Sequence, residues 1–254
     1  MSASADAEHN RRYWETLAGD YQREHREELA EENAEAWGVW RIPERELQVL
    51  GDVAGLDVLE LGCGAAQWAI ALASRGARVT GLDQSSEQLR HAREAAEAAG
   101  VEVRLVEASA ETVPLGDGSF DVVFCDHGAI GWADPLVLIP EAARLLRSGG
   151  LLAWCWGTPF LEAHWPENAE RPGTTLVRDL FGLHRFVDET DDTVQFMLPH
   201  SDTIAALRGA GLVVESLLEL QPPEGATSRF RPTPEELEWA RRWPMEEIWR
   251  ARKP

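Results

Sequence analysis

The sequence predicts an α/β fold, a doubly wound and mostly parallel sheet covered by helices on both faces. Three observations carry that expectation. Short apolar runs alternate with helix-length segments between residues 57 and 156, and strands separated by helices imply right-handed crossovers and a parallel sheet. The first apolar run ends in Gly62-Cys63-Gly64, where a helix begins; glycines at such a junction let backbone approach a ligand. The length of 254 residues suits one large domain of this kind.

Each element has its own signal. Residues 8–35 read as helix, with Trp14, Leu17, Ala18 and Tyr21 at i, i+3, i+4, i+7 on one apolar face. The acidic run at 27–35 reads as solvated helix surface. A turn at Trp40-Arg41-Ile42-Pro43 precedes a second helix at 44–50. Strands follow at 57–61, 77–82, 101–106, 120–125 and 151–156. Helices at 67–74, 86–99 and 134–146 separate them, Gly100 closing the second and Ser148-Gly149-Gly150 stopping the third. Residues 158–192 hold Pro159, Pro166 and Pro172 and break the rhythm, as an insertion or lid does. A helix at 201–209, a strand at 212–220, a helix at 234–242 and a last strand at 247–252 complete the chain. The expected organisation is a single domain: an N-terminal helical cap (1–50), a ligand-binding core (51–157), a lid bearing the acceptor site (158–200) and a completion of the sheet (201–254).

Composition excludes several classes. The formal net charge of −20 argues against nucleic acid, which needs a basic face. Arg11-Arg12, Arg241-Arg242 and the tail 250–253 are short and interleaved with acids. No apolar run reaches bilayer length and the first six residues lack a signal-peptide pattern, so a cytoplasmic protein without a membrane partner is expected. Cys63, Cys125 and Cys155 form no C-x-x-C pair, which fits reduced thiols. The seven histidines are scattered, so no metal is expected.

In an open parallel sheet the ligand lies beyond the carboxyl ends of the strands. Gly62 and Gly64 follow the first strand, Asp83 the second, Ser109-Ala110-Glu111 the third, and Asp126-His127-Gly128 the fourth. An acid in the position of Asp83 accepts hydrogen bonds from ribose hydroxyls. Two details separate NAD from other adenosine ligands. The third glycine of a dinucleotide fingerprint would fall at 67, where Gln67 stands. Glu60, two residues before Gly62, would repel a pyrophosphate but suits an ammonium or sulfonium. The turn therefore points to S-adenosylmethionine.

The segment VLELGCGAAQWAIALASRGARVTGLDQSSEQL, followed by VEASAETVPLGDGSFDVVFCDHGAIGWADP and EAARLLRSGGLLAW, resembles the class I S-adenosylmethionine-dependent methyltransferases of the Rossmann-like superfamily. The resemblance implies a seven-stranded sheet with one antiparallel strand near its edge, and methyl transfer to an acceptor. It implies that Gly62 and Gly64 flank the methionine part of the cofactor. Asp83 would hold the ribose, Gln84 would pack near the adenine, and Ala110 would donate backbone toward the ring. The family often has Asp where this chain has Ser109, so Glu111 or the Ser109 hydroxyl is expected to replace it.

Other candidates have two readings. Glu60 is a pocket residue ordering the glycine turn, or a strand-end carboxylate satisfied by amides. Cys63 contributes backbone, with nothing basic nearby to activate it. Gln67 and Asp126 belong to the expected cofactor wall. His127, beside the expected transfer position, is either a base for an O–H, N–H or C–H acceptor or a loop-shaping side chain. His25, His164, His184 and His200 are weaker candidates, with His164 and His184 placed in the lid; His9 and His91 read as surface. Trp14, Tyr21, Trp37 and Trp40 precede the core, where the family folds a helix over the cofactor, and Tyr21 either reaches the cofactor carboxylate or packs. Trp68 and Trp154 read as packing. The expected function is methylation of a small-molecule acceptor. The alternatives are a catalytically silent binding protein and an NAD-dependent oxidoreductase, the latter disfavoured because the sole lysine, Lys253, stands at the tail.

Overall fold

The structure is a computed structural model that describes residues 4–24, 34–166, 169, 171–188, 191–228, 230 and 233–254. Seven strands form one sheet: β1 (Asp57–Leu61), β2 (Arg78–Asp83), β3 (Arg104–Glu107), β4 (Phe120–Asp126), β5 (Leu146–Gly157), β6 (Val213–Leu220) and β7 (Glu246–Arg252). Their spatial order is β6-β7-β5-β4-β1-β2-β3. β7 runs antiparallel to both neighbours while the other pairings are parallel. This is the seven-stranded, Rossmann-like sheet with one antiparallel strand that the sequence resemblance implies.

Strand order reverses between β1 and β4, the crevice where such sheets bind ligands. The sheet can stand there because its central strands are apolar on both sides. Val58 and Phe124 pack into one core, while their neighbours Leu59 and Val123 pack into the other.

Helices cover both faces: α1 (Ala5–Glu24), α2 (Glu44–Leu47), α3 (Gln67–Ser74), α4 (Ser86–Ala99), α5 (Pro135–Leu145), α6 (Pro159–Ala163), α7 (His200–Gly209) and α8 (Pro234–Ala240). Local chemistry sets their ends. The Ser85 hydroxyl accepts from Gln88 N at 3.2 Å to start α4, and Gly100 at φ +67° closes it. α1 lies over the ligand end of the sheet. Its buried Asn10 donates to Trp132 O at 2.9 Å and Val194 O at 2.7 Å, and accepts from Val194 N at 2.9 Å.

Several boundaries differ from expectation, among them the third strand, expected at 101–106 and found at Arg104–Glu107. The first helix ends at Glu24 among the described residues, and the acidic run at 27–33 lies outside them. α2 is one turn long because the buried Glu44 carboxylate gathers the N–H groups of Val49, Leu50 and Gly51 at 2.7–3.1 Å, bending the chain away. β5 begins at Leu146 and runs through Ser148-Gly149-Gly150, because Gly149 N donates to Lys253 O at 2.7 Å and Lys253 N to Gly150 O at 2.9 Å. The insertion holds α6 and an antiparallel hairpin pairing Arg185–Asp188 with Thr193–Phe196. No described helix is long and apolar enough to cross a membrane.

Candidate functional site

A cavity of about 320 Å³ opens beyond the carboxyl ends of β1, β2 and β4, beneath α1. The glycine turn forms its floor. Gly62 N and Cys63 N both donate to Leu82 O, at 2.7 and 2.9 Å, tying the turn to β2. Gly62 has φ +70°, and a Cβ there would stand 2.4 Å from Ala129 N. Gly64 has φ +52°, yet the nearest atom to a Cβ there is Gln88 Oε1 at 3.8 Å. One glycine lets two loops touch, and the other leaves space open.

Three carboxylates stand around this floor. Asp83 ends β2 and accepts from Gly64 N at 2.9 Å and Ser85 N at 2.8 Å. Glu60 accepts from Ala69 N at 3.0 Å. Asp126 accepts from Gly38 N at 3.1 Å and from Trp68 Nε1 at 3.0 Å. Burial raises the pKa of all three; for Glu60 the rise is large, and the charges of Asp126 and Asp83 add to it. Among the described lining residues Arg41 is the one Lys or Arg, and its charge lowers the pKa of Asp126 against the effect of burial.

Tyr21, Gln67, Gln84, Ser109 and Ala110 also line the cavity, as do Cys63 and His127. Tyr21 projects from α1, its ring centroid 5.4 Å from that of Trp14 and 6.4 Å from that of Phe230. The Gln67 amide donates to Gln22 Oε1 at 3.1 Å, and Gln22 donates to Gln88 Oε1 at 3.1 Å, a chain that fastens α1 across the turn. Cys63 is a buried thiol whose pKa burial drives up, the opposite of an activated nucleophile. Trp68, expected as packing alone, also lines the cavity.

Glu111 is placed elsewhere. Its buried carboxylate accepts from Ser4 N and Asp134 N, both at 3.2 Å, and so joins the start of α1 to the start of α5. Of the weaker histidines, neither His164 nor His184 lines a described cavity. His164 meets Phe160 O at 2.9 Å, and His184 meets Asp134 Oδ1 at 2.8 Å. His200 meets Glu247 Oε2 at 2.7 Å, and His25 lies outside the described residues.

His127 occupies the left-handed region at φ +52°. Its N–H donates to Cys155 O at 3.2 Å, its ring lies 5.1 Å from Trp156, and its Nε2 meets Glu246 Oε1. Glu246 also accepts from Val39 N at 2.9 Å. A Cβ on the facing Gly38 would stand 2.5 Å from Glu246 Oε2. For Gly38, Val39, Arg41 and Glu246 the sequence offered only a glycine between Trp37 and Trp40, just before the turn expected at 40–43.

A second cavity of about 450 Å³ adjoins the first. Val39, His127, Trp132 and Trp156 line both, and the insertion supplies Trp165 and Phe186 to its far wall. Arg178 there is paired with Glu162 at 3.1 Å and lies 4.8 Å above the Phe186 ring. Folding also brings Asp126, His127 and Cys155 within 4.8 Å of one another by one potential ligand atom each, a cluster that sequence spacing did not foretell. Burial holds the Cys155 thiol protonated, its pKa driven well above the usual value, so it is a poor metal ligand as it stands.

Residues 59–154 match the family model for a methyltransferase domain. With the sheet order above, this core is that of a class I S-adenosylmethionine-dependent methyltransferase. The chain is 37% identical over 115 residues to the demethylmenaquinone methyltransferase of Thermus thermophilus, covering 44% of this chain and 51% of that protein. It is 35% identical over 108 residues to the ubiquinone biosynthesis O-methyltransferase of a Ruegeria species, covering 42% and 44%. The chain thus spans about half the length of the curated relatives it matches. A crystal structure of an S-adenosylmethionine-dependent methyltransferase from Mesorhizobium loti superposes with a TM-score of 0.65 at 25% identity, covering 81% of this chain and 94% of that one.

The cavity fits the cofactor of that class. Its open floor at Gly64 and the Asp83 carboxylate suit a nucleoside. Glu60, Asp83 and Asp126 together would oppose a pyrophosphate, but they complement a sulfonium and an ammonium group.

Proposed function

We propose that this chain transfers a methyl group from S-adenosylmethionine to a small-molecule acceptor seated in the second cavity. The observation that carries this reading is the wall of Val39, His127, Trp132 and Trp156, which the second cavity shares with the first. Bound there, the cofactor supplies an electrophilic methyl group on a sulfonium, whose leaving group departs neutral. The protein's task is to align the acceptor and exclude water.

In this reading Gly62, Cys63 and Gly64 contribute backbone beside the methionine part, and Arg41 pairs with its carboxylate. Asp83 holds the ribose hydroxyls, with Gln84, Ser109 and Ala110 around the adenine. Tyr21, Trp14 and Gln67 close the cavity from the α1 side, with Glu60 and Asp126 facing the positive charge. Glu111 is not assigned to the adenine, because two backbone amides already occupy its carboxylate. His127 receives the acceptor's proton. The relatives named for quinone biosynthesis support a small organic acceptor, and the net charge of −20 supports one that is not nucleic acid. Three buried free thiols suit the reducing environment of a cytoplasm.

Calorimetric titration with S-adenosylhomocysteine tests the reading. Saturable binding that Asp83→Ala weakens is expected; no binding to a folded sample would overturn it.

A further inference from the structure

The second cavity, about 450 Å³ in volume, has two ends of different character. The near end is the wall shared with the cofactor cavity, where the Trp132 and Trp156 ring centroids stand 6.0 Å apart. The far end is built by the insertion. There α6 brings Glu162, the hairpin brings Phe186 and Asp188, and Asp191 follows in the hairpin's turn.

The lining is acidic. Glu162, Asp188, Asp191 and Glu246 face one described guanidinium, that of Arg178. Four carboxylates against one guanidinium leave a formal charge of −3 with His127 neutral, and −2 with it protonated. Tyr13 donates to Asp191, its own pKa pushed up to about 12 by burial and by that charge, and Gln195 donates to Asp188 at 3.4 Å. Neutral donors steady a carboxylate without cancelling its charge. Burial raises the pKa of Glu162, the Arg178 charge lowers it, and the Asp188 charge raises it again, with a net rise. One guanidinium therefore leaves room at this end for a second positive charge.

The cavity already holds one cation in the manner such a charge would need. The Arg178 guanidinium sits 3.1 Å from Glu162 and 4.8 Å above the Phe186 ring, between a carboxylate and an aromatic face. An ammonium group is held by the same pair of features, and the aromatic contribution grows as water is excluded. Trp165 adds a further ring to that end. An anionic molecule would meet the carboxylate excess as repulsion.

We propose that the second cavity takes an acceptor carrying an ammonium group, held at the far end by Glu162, Asp188 and the Phe186 ring so that a different atom of the acceptor meets the methyl donor at the shared wall. The inference rests on the cofactor and acceptor assignment above. The ammonium nitrogen is the anchor and not the site of methylation, because it has no lone pair to form the new bond. Fixing the molecule at the end remote from the reacting atom is how binding energy orients an acceptor for in-line transfer.

The test titrates the full chain, saturated with S-adenosylhomocysteine, with three probes that share an indole ring and differ in charge: tryptamine, tryptophol and indolepropionic acid. Calorimetry at neutral pH should show tryptamine binding at least tenfold tighter than tryptophol, about 1.4 kcal/mol, and indolepropionic acid weakest. Glu162→Gln removes a carboxylate and leaves the Arg178 charge without it. That variant should bind tryptamine about tenfold more weakly and indolepropionic acid more tightly, with tryptophol and S-adenosylhomocysteine unchanged; a merely structural role would weaken all three probes together. If Glu162→Gln fails to fold, Asp188→Asn replaces it, with the loss for tryptamine alone expected. Equal affinities for the three probes, a preference for the acid, or no tryptamine binding to a protein that binds S-adenosylhomocysteine would overturn the proposal. So would a folded variant with the wild-type ranking or with a uniform loss. Failure to bind S-adenosylhomocysteine would refute the cofactor assignment instead.

Discussion

Gly62 and Gly64 lie one residue apart in the same turn, and the structure predicts opposite consequences for replacing them with alanine. At Gly62 two costs add. Alanine at φ +70° loses about 1–2 kcal/mol to the left-handed backbone. The new Cβ would also stand 2.4 Å from Ala129 N and 2.9 Å from Gly128 C and Cα. Both are backbone atoms that no rotamer change can clear, and overpacking of this kind costs about 1–3 kcal/mol. The sum is about 2–5 kcal/mol, a large fraction of a marginal stability. At Gly64 only the first cost applies, about 1–2 kcal/mol, because nothing lies closer than Gln88 Oε1 at 3.8 Å. There the methyl group enters space assigned to the cofactor. Urea unfolding and S-adenosylhomocysteine titration of both variants measure the two effects. Gly62→Ala should be the less stable protein, and Gly64→Ala should stay folded with cofactor affinity reduced at least tenfold, about 1.4 kcal/mol. Equal destabilisation, or a Gly64→Ala protein with unaltered affinity, would refute the division of roles.

Three further outcomes are expected. Asp83→Asn should weaken S-adenosylhomocysteine binding by about 1.5–3 kcal/mol, the usual worth of a hydrogen bond to a charged group, with a smaller loss of unliganded stability; calorimetry and urea unfolding separate the two. For Glu60, burial raises the folded pKa well above the ordinary carboxylate value, so its contribution to stability is present at acid pH and is lost as pH rises through the folded pKa. Glu60→Gln should therefore gain on the unliganded wild type in thermal melts as pH is raised from acid to neutral, while binding the cofactor less tightly. The pKa of His200 is raised by its hydrogen bond to Glu247, so its stabilisation is present below the ordinary histidine pKa and disappears as pH rises through the folded value. The side chain is 39% exposed, which limits the effect to under about 1 kcal/mol; urea unfolding of His200→Gln should show a deficit at acid pH that closes at alkaline pH.

What the sequence made legible is what the chain encodes locally. Gly62, Asp83 and His127 follow strands directly, so identifying β1, β2 and β4 was enough to place them at the ligand end of the sheet. Glu246 could not be placed that way. It lies 119 residues from His127, and only the antiparallel entry of β7 beside β5, pairing Glu246 with Gly157, brings its carboxylate across. The 38–41 loop was opaque for a related reason. Gly38 is required by its own φ of +66° and also by Glu246, whose Oε2 would stand 2.5 Å from a Cβ there, and Arg41 adopts φ +51°, which no residue preference announces. Glu111 shows the reverse. The pattern after β3 pointed it at the adenine, but the backbone amides of Ser4 and Asp134 hold its carboxylate. Chain stops were misread where side chains or a distant strand supply the missing partners, as Glu44 does for α2 and the Lys253 backbone does for β5.

The three cavity carboxylates show how this site diverts stability to binding. Each has neutral hydrogen-bond donors, from Ala69, from Gly64 and Ser85, or from Gly38 and Trp68, and those bonds favour the charged form. Burial outweighs them, since all three pKa values are raised, and Glu60 feels both other acids as well. Bringing like charges together in a low dielectric destabilises the unliganded fold. Arg41 offsets only part of that, being the one Lys or Arg among the described lining. A ligand carrying a sulfonium and an ammonium group relieves the repulsion, lowers the three pKa values and releases whatever protons the empty site had retained. S-adenosylhomocysteine lacks the sulfonium charge and relieves less. On the proposed cofactor assignment, the same carboxylates are expected to favour the methyl donor over its product, and parallel calorimetric titrations with the two, tighter for S-adenosylmethionine, check it; equal or reversed affinities would refute it.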